Sequence, residues 1–157
     1  MCRDKDWDQT VERLLLQPYW VIDLLPWQEP PDRATQYFAV EQYYLQEPRR
    51  SRMYQQFAEV LLKLSCYHDM QVSYDSKWVK DPDPPVLQEW LSETMSHGHL
   101  CIVLNDGEAL ITASGGDTHM TLYNPSAALL DLVSKLASAS GLFLWQPRDG
   151  QRPKKLN

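Results

Sequence analysis

The sequence predicts an α+β fold: a two-layer sandwich with a mainly antiparallel sheet of six or seven strands and three or four helices packed on one face. Three observations predict it. Short alternating or continuously apolar runs, which read as strands, are interspersed with segments whose apolar residues recur every three or four positions, which read as helices. The resulting order is α-β-β-α-β-α-β-β-β-α-β, and several successive strands are joined by turns too short for a crossover, which requires antiparallel pairing. Each helix carries one apolar stripe, so the helices must lie on the sheet as a second layer.

The first helix is expected to start at Asp8 or Thr10 as cap, to present Val11, Leu14 and Leu15 on one face, and to end at Pro18. Tyr19–Leu25 is rich in aromatic and β-branched residues and reads as a strand stopped by Pro26. Trp27–Arg33 contains Pro30 and Pro31 and reads as a loop. Gln36–Leu45 (QYFAVEQYYL) reads as a strand, because four aromatic rings and a valine in ten residues favour a pleated surface over a helix. Pro48 then opens the strongest helix, with Met53, Phe57, Val60, Leu61 and Leu64 on its apolar face.

Met70–Tyr74 is a short strand with Met70, Val72 and Tyr74 on one side, and the proline-rich DPDPP loop leads to a helix from about Pro85 to Ser96. His99–Asn105 and Ala109–Ala113 form a hairpin, since Asp106-Gly107 tolerates the positive φ of a tight turn. Gly115-Gly116-Asp117 makes a second turn before the strand His119–Tyr123. Ser126 starts a helix over Ala127–Ser140, Gly141 ends it, and Leu142–Trp145 is the last strand. Residues 1–147 are read as one compact unit and 148–157 as a flexible basic tail.

Composition narrows the function. The 157 residues carry a formal charge of −6, with 21 acidic against 15 basic groups, which disfavours nucleic acid and anionic membrane surfaces as partners. Three widely spaced cysteines, Cys2, Cys66 and Cys101, form no disulfide framework, and the charged N-terminus lacks an apolar signal core; a cytoplasmic protein is expected. No Walker loop, GxGxxG, GxSxG or HExxH motif occurs.

Four polar constellations are chemically suggestive. Asp117 and His119 are two apart in an extended segment and so face the same way. His97 and His99 share that spacing, and if their strand neighbours that of His119, the four side chains suit a transition metal. Set against this, Asp117 at a turn can simply cap backbone N–H groups, and neither a metal nor another cofactor is expected. Gly115-Gly116 can form a small anion nest or a plain turn. Cys66 and His68, two apart at a helix end, point to different faces, unlike a nucleophile and its base. Asp23 and Glu41 are a conceivable carboxylate pair, but no spacing decides it.

The aromatic set Tyr19, Trp20, Trp27, Tyr37, Tyr43 and Tyr44 is dense, and alternation along strands would send some rings to each sheet face. On a face without helices these rings would stay exposed and mark a recognition surface. The expectation is therefore a non-enzymatic protein-binding module that meets a protein partner, or a second copy of itself, through an aromatic-rich sheet surface including Trp20, Trp27 and Tyr43. The alternative is a small metal-dependent or small-molecule enzyme with its site around Asp117 and His119.

Overall fold

A computed structural model describes residues 6–96 and 98–151. These residues form helix α1 (Trp7–Leu14), strand β1 (Tyr19–Asp23), helices α2 (Ala34–Tyr44) and α3 (Arg49–Leu64), strands β2 (Met70–Tyr74) and β3 (Lys77–Lys80), and helix α4 (Pro84–Ser96). Strands β4 (His99–Leu104), β5 (Ala109–Ser114) and β6 (His119–Tyr123), helix α5 (Ala127–Ala139) and strand β7 (Phe143–Trp145) follow. The fold is α+β: one seven-stranded sheet, antiparallel throughout, in the order β3-β2-β4-β5-β6-β1-β7.

The core lies on one face. Pairing sets Leu100 opposite Ala113, Ile102 opposite Ile111 and Ile22 opposite Met120. These side chains point to one face, alternating with residues of the reverse face, and are buried under α3, α4 and α5. On α3, Met53, Phe57, Val60, Leu61 and Leu64 follow the helical period, and all five are buried. Tyr74 of β2 stacks on Trp90 of α4 at 4.7 Å between ring centroids. Helix α5 begins where Ser126 Oγ accepts the Leu129 N–H at 3.1 Å. Replacing Ser126 with alanine orphans that donor, and thermal melts should show a loss of about 1 kcal/mol, or roughly 2–4 °C.

Three expectations need correction. Gln36–Leu45 is not a strand, because α2 spans most of it. Both lateral positions beside β1 are taken by β6 and β7, and the residues that α2 partly shelters, Tyr37, Val40, Glu41 and Leu45, fall on a helical stripe. The seventh strand is instead β3, the short polar run KWVK, which reading for apolar alternation passes over.

Second, α3, α4 and α5 share the core face as expected, but α1 does not join them. Helix α1 lies on the reverse, where Leu14 packs on Val103 and Leu110, all fully buried. Trp7 meets Trp78 at 6.4 Å, and Trp78 Nε1 donates to Asp8 Oδ1 at 3.1 Å. Third, the cap of α1 is Asp6, which accepts the Gln9 N–H, rather than Asp8 or Thr10. Arg148–Gln151 form a 3₁₀ turn, and Gly150 is buried so close to β1 that a Cβ there would sit 2.6 Å from the Tyr19 carbonyl oxygen. Beside this turn, burial and then the Asp149 carboxylate push the Tyr19 hydroxyl up to about 12. The rest of the expected tail, residues 152–157, lies outside the described residues.

Candidate functional site

Strand β1 alternates Tyr19, Val21 and Asp23 onto the reverse face of the sheet, and its last residue, Asp23, is only 4% exposed. Just beyond, the Leu25 N–H returns to Asp23 Oδ1 at 3.4 Å. Helix α2 then passes this end of the sheet, with Tyr44 one turn beyond Val40 and Glu41 on the side that lines the cavity. Together with Gln56 of α3, Thr118 before β6 and Gly141 after α5, these residues enclose a cavity of ≈ 140 Å³. That is room for a group about the size of benzene.

The walls are held in place by hydrogen bonds. Buried Thr118 donates from Oγ1 to Glu41 Oε2 at 3.0 Å, fixing the acid across 77 residues of sequence. Gln56 Nε2 donates to the Ser140 carbonyl at 2.8 Å and so ties α3 to the end of α5. Gly141 adopts φ +77°, and a Cβ there would meet Gln56 Nε2 at 3.0 Å, so both conformation and space favour glycine.

The cavity is electronegative. Burial holds the Asp23 carboxyl above its usual range, against the lowering effects of the Leu25 N–H, His119, the Leu24 N–H and Trp145. The buried Trp145 indole N–H nonetheless completes no full hydrogen bond. Burial and the charges of Asp23, Glu41 and Glu29 push the nearby Tyr37 hydroxyl up to about 12. Among the described residues the side-chain ion pairs join Arg50 to Glu47, His119 to Asp117 and Lys135 to Asp131; none reaches Asp23 or Glu41. A recess with two acids and no Lys or Arg counter-charge favours a cation, and its Leu24, Leu25 and Val40 lining suits an alkyl stem behind the charge.

The other sequence candidates do not converge. Asp117 and His119 approach to 4.0 Å, but their side chains are 42% and 39% exposed, and neither lines the cavity. Strands β4 and β6 are not neighbours but flank β5, which puts His99 and His119 roughly 10 Å apart, two strand spacings. Ser114 stands between them and bonds His99 Nδ1 at 2.8 Å. His97 lies outside the described residues, and among those described no group of three or more His, Cys, Asp or Glu residues could hold a metal ion. At the Gly115-Gly116 turn, the Gly115 and Asp117 N–H groups are used by the Gly98 and Ser114 carbonyls.

His68 accepts from Asn105 Nδ2 at 2.9 Å, while the Cys66 thiol reaches only its own helix, at Leu62 O. Sequence reading missed a thiol–imidazole contact, Cys101 Sγ to His99 Nε2 at 3.3 Å. Burial, and then Asp8, push the Cys101 thiol up to about 11, which leaves about one molecule in a thousand as thiolate at pH 8 and makes it a poor nucleophile. Peptide mapping after iodoacetamide treatment at pH 8 should find exposed Cys66 modified well before Cys101.

The aromatic residues separate by location. Trp20 shares the core face with Ile22 and is half-buried, as are Tyr19, Tyr123, Trp78 and Trp145 on the reverse face. The strongly exposed rings of the early aromatic set and its surroundings are Trp27 (77%), Phe38 (62%) and Tyr43 (54%), on α2 and the segment leading into it rather than on the sheet. Compared with protein-family models, curated proteins and solved structures, the chain matches none.

Proposed function

We propose that this protein is a non-enzymatic protein-binding module that receives a basic side chain of its partner in the Asp23–Glu41 cavity, with the exposed aromatic segment around it as contact surface. The observation that carries this reading is the cavity itself: two carboxylates lacking a Lys or Arg partner line a recess large enough for one side chain. A buried carboxylate is costly to keep charged without a counter-ion, so an entering ammonium or guanidinium gains a charge-assisted hydrogen bond and relieves that cost. The stretch between Leu25 and Val40, both cavity residues, displays Trp27 and Phe38 to solvent. Large apolar rings beside a charged recess suit a protein partner better than a small amine, which would leave them unused. The net charge of −6 favours a basic partner at longer range. Recognition thus moves from the sheet to α2, while Trp27 and Tyr43 keep the role expected of them.

The test has two readouts. Titration with n-butylammonium, the charged end of lysine alone, is expected to shift backbone amide resonances of Asp23, Leu25, Glu41, Thr118 and Gly141, whereas 1-butanol leaves them in place. Affinity capture should retain one stoichiometric partner that is lost by Trp27→Ala/Tyr43→Ala and by Asp23→Asn/Glu41→Gln alike. Indifference of the cavity amides to butylammonium, or a partner that survives both variants, refutes the reading.

A further inference from the structure

Beside the acidic cavity lies a shallower groove of ≈ 410 Å³ lined by Tyr43, Tyr44, Arg49, Arg52, Met53 and Gln56. Tyr44 and Gln56 belong to both, so they form a common wall with opposite charges on its two sides. Arg49 is steadied there: its guanidinium lies 3.6 Å from the Tyr43 ring centroid, and its Nε donates to the Tyr43 carbonyl at 2.8 Å. Arg52 is exposed, and neither arginine belongs to the ion pairs above, whereas their neighbour Arg50 is engaged by Glu47 at 2.9 Å. Tyr44 sets its ring edge-on to Tyr43 at 5.7 Å and carries the aromatic surface across the wall.

We infer that the recognised element is a dipolar peptide segment, its basic side chain in the Asp23–Glu41 cavity and an acidic or phosphorylated side chain against Arg49 and Arg52. The inference rests on the reading of the cavity as a cation subsite and adds the second charge and the spacing. Along α3, Arg52 and Arg49 lie about 6 and about 10 Å from Gln56 at 1.5 Å per residue. An extended chain advances about 3.3 Å per residue, so the two charges of the ligand stand about two to three positions apart. A guanidinium pair recognises carboxylate and phosphate geometry alike. A ligand carrying only positive charge would meet like charge at this groove, so the arrangement selects against uniformly basic peptides.

Selection of a random dodecapeptide phage library on the immobilised full chain separates the possibilities. The expected result is enrichment of peptides with Lys or Arg two to three positions from Asp or Glu. The Arg49→Glu/Arg52→Glu protein should select the basic residue without the acid, and Asp23→Asn/Glu41→Gln the acid without the base. For a synthetic enriched peptide, Arg52→Ala should weaken binding about tenfold, and a phosphoserine in place of the acid should bind at least as well. Enrichment of basic residues alone, unaffected by the arginine substitutions, overturns this inference and leaves the cation cavity standing. Enrichment of no charged pattern by the unaltered protein overturns both.

Discussion

Replacing Phe57 with alanine is expected to cost about 3–5 kcal/mol, a large part of the roughly 5–15 kcal/mol typical of a domain. Phe57 is fully buried in the middle of the apolar face of α3, among the core residues that pack this helix against the sheet. A phenylalanine buries roughly 150–250 Å², worth about 4–6 kcal/mol at ~25 cal/mol per Å², and the cavity left behind cannot fully collapse in a close-packed interior. The melting midpoint should drop by roughly 10 °C at an unchanged urea m-value. Phe57→Leu, which keeps most of the volume, should lose less than half as much. A loss under about 1 kcal/mol for the alanine variant would mean that α3 does not sit on the sheet as described.

Asp23→Asn should separate stability from binding, raising the first and weakening the second. Burial lifts the Asp23 carboxyl above its ordinary value of 3.8, so between that value and the folded-state pKa the native chain holds a proton that the unfolded chain has released. Stability then falls as pH rises through this window, and the deficit persists above it. Asparagine never ionises and can still accept the Leu25 N–H. The variant should therefore melt at a higher temperature than the unaltered protein at pH 7, and the difference should close as pH falls below the ordinary carboxylate value. Loss of the charged acceptor should weaken binding of a basic peptide about 10–100-fold, since hydrogen bonds to charged groups contribute about 1.5–3 kcal/mol. Gaining stability while losing affinity is the behaviour of a group kept for function. Equal melting temperatures at both pH values, or unchanged affinity, would remove Asp23 from the site.

The sequence by itself determined the elements whose period is local and strong. Helix α3 is legible from Met53, Phe57, Val60, Leu61 and Leu64, and α5 from Ser126 and Gly141 at its two ends. The β4–β5 hairpin is legible from two apolar runs around Asp106-Gly107, with Gly107 at φ +97°. In each case residues within one turn or one hairpin hold the information. Helix α2 defeats such reading because its aromatic and apolar residues are spread around the whole circumference, so a period of two fits as well as one of 3.6.

What only the tertiary structure decided is where distant elements meet. Strand β1 lies between β6 and β7, α1 goes to the reverse face, and the lateral sheet positions are thereby filled. Asp23 and Glu41 were both visible as acids, yet no spacing between them carries meaning while one is assigned to the wrong element. Their convergence depends on α2 passing the end of the sheet and on Thr118, 77 residues further on, holding Glu41 there. Pairings at that separation are set by the burial of whole faces, a property of the assembled layers that no single segment encodes.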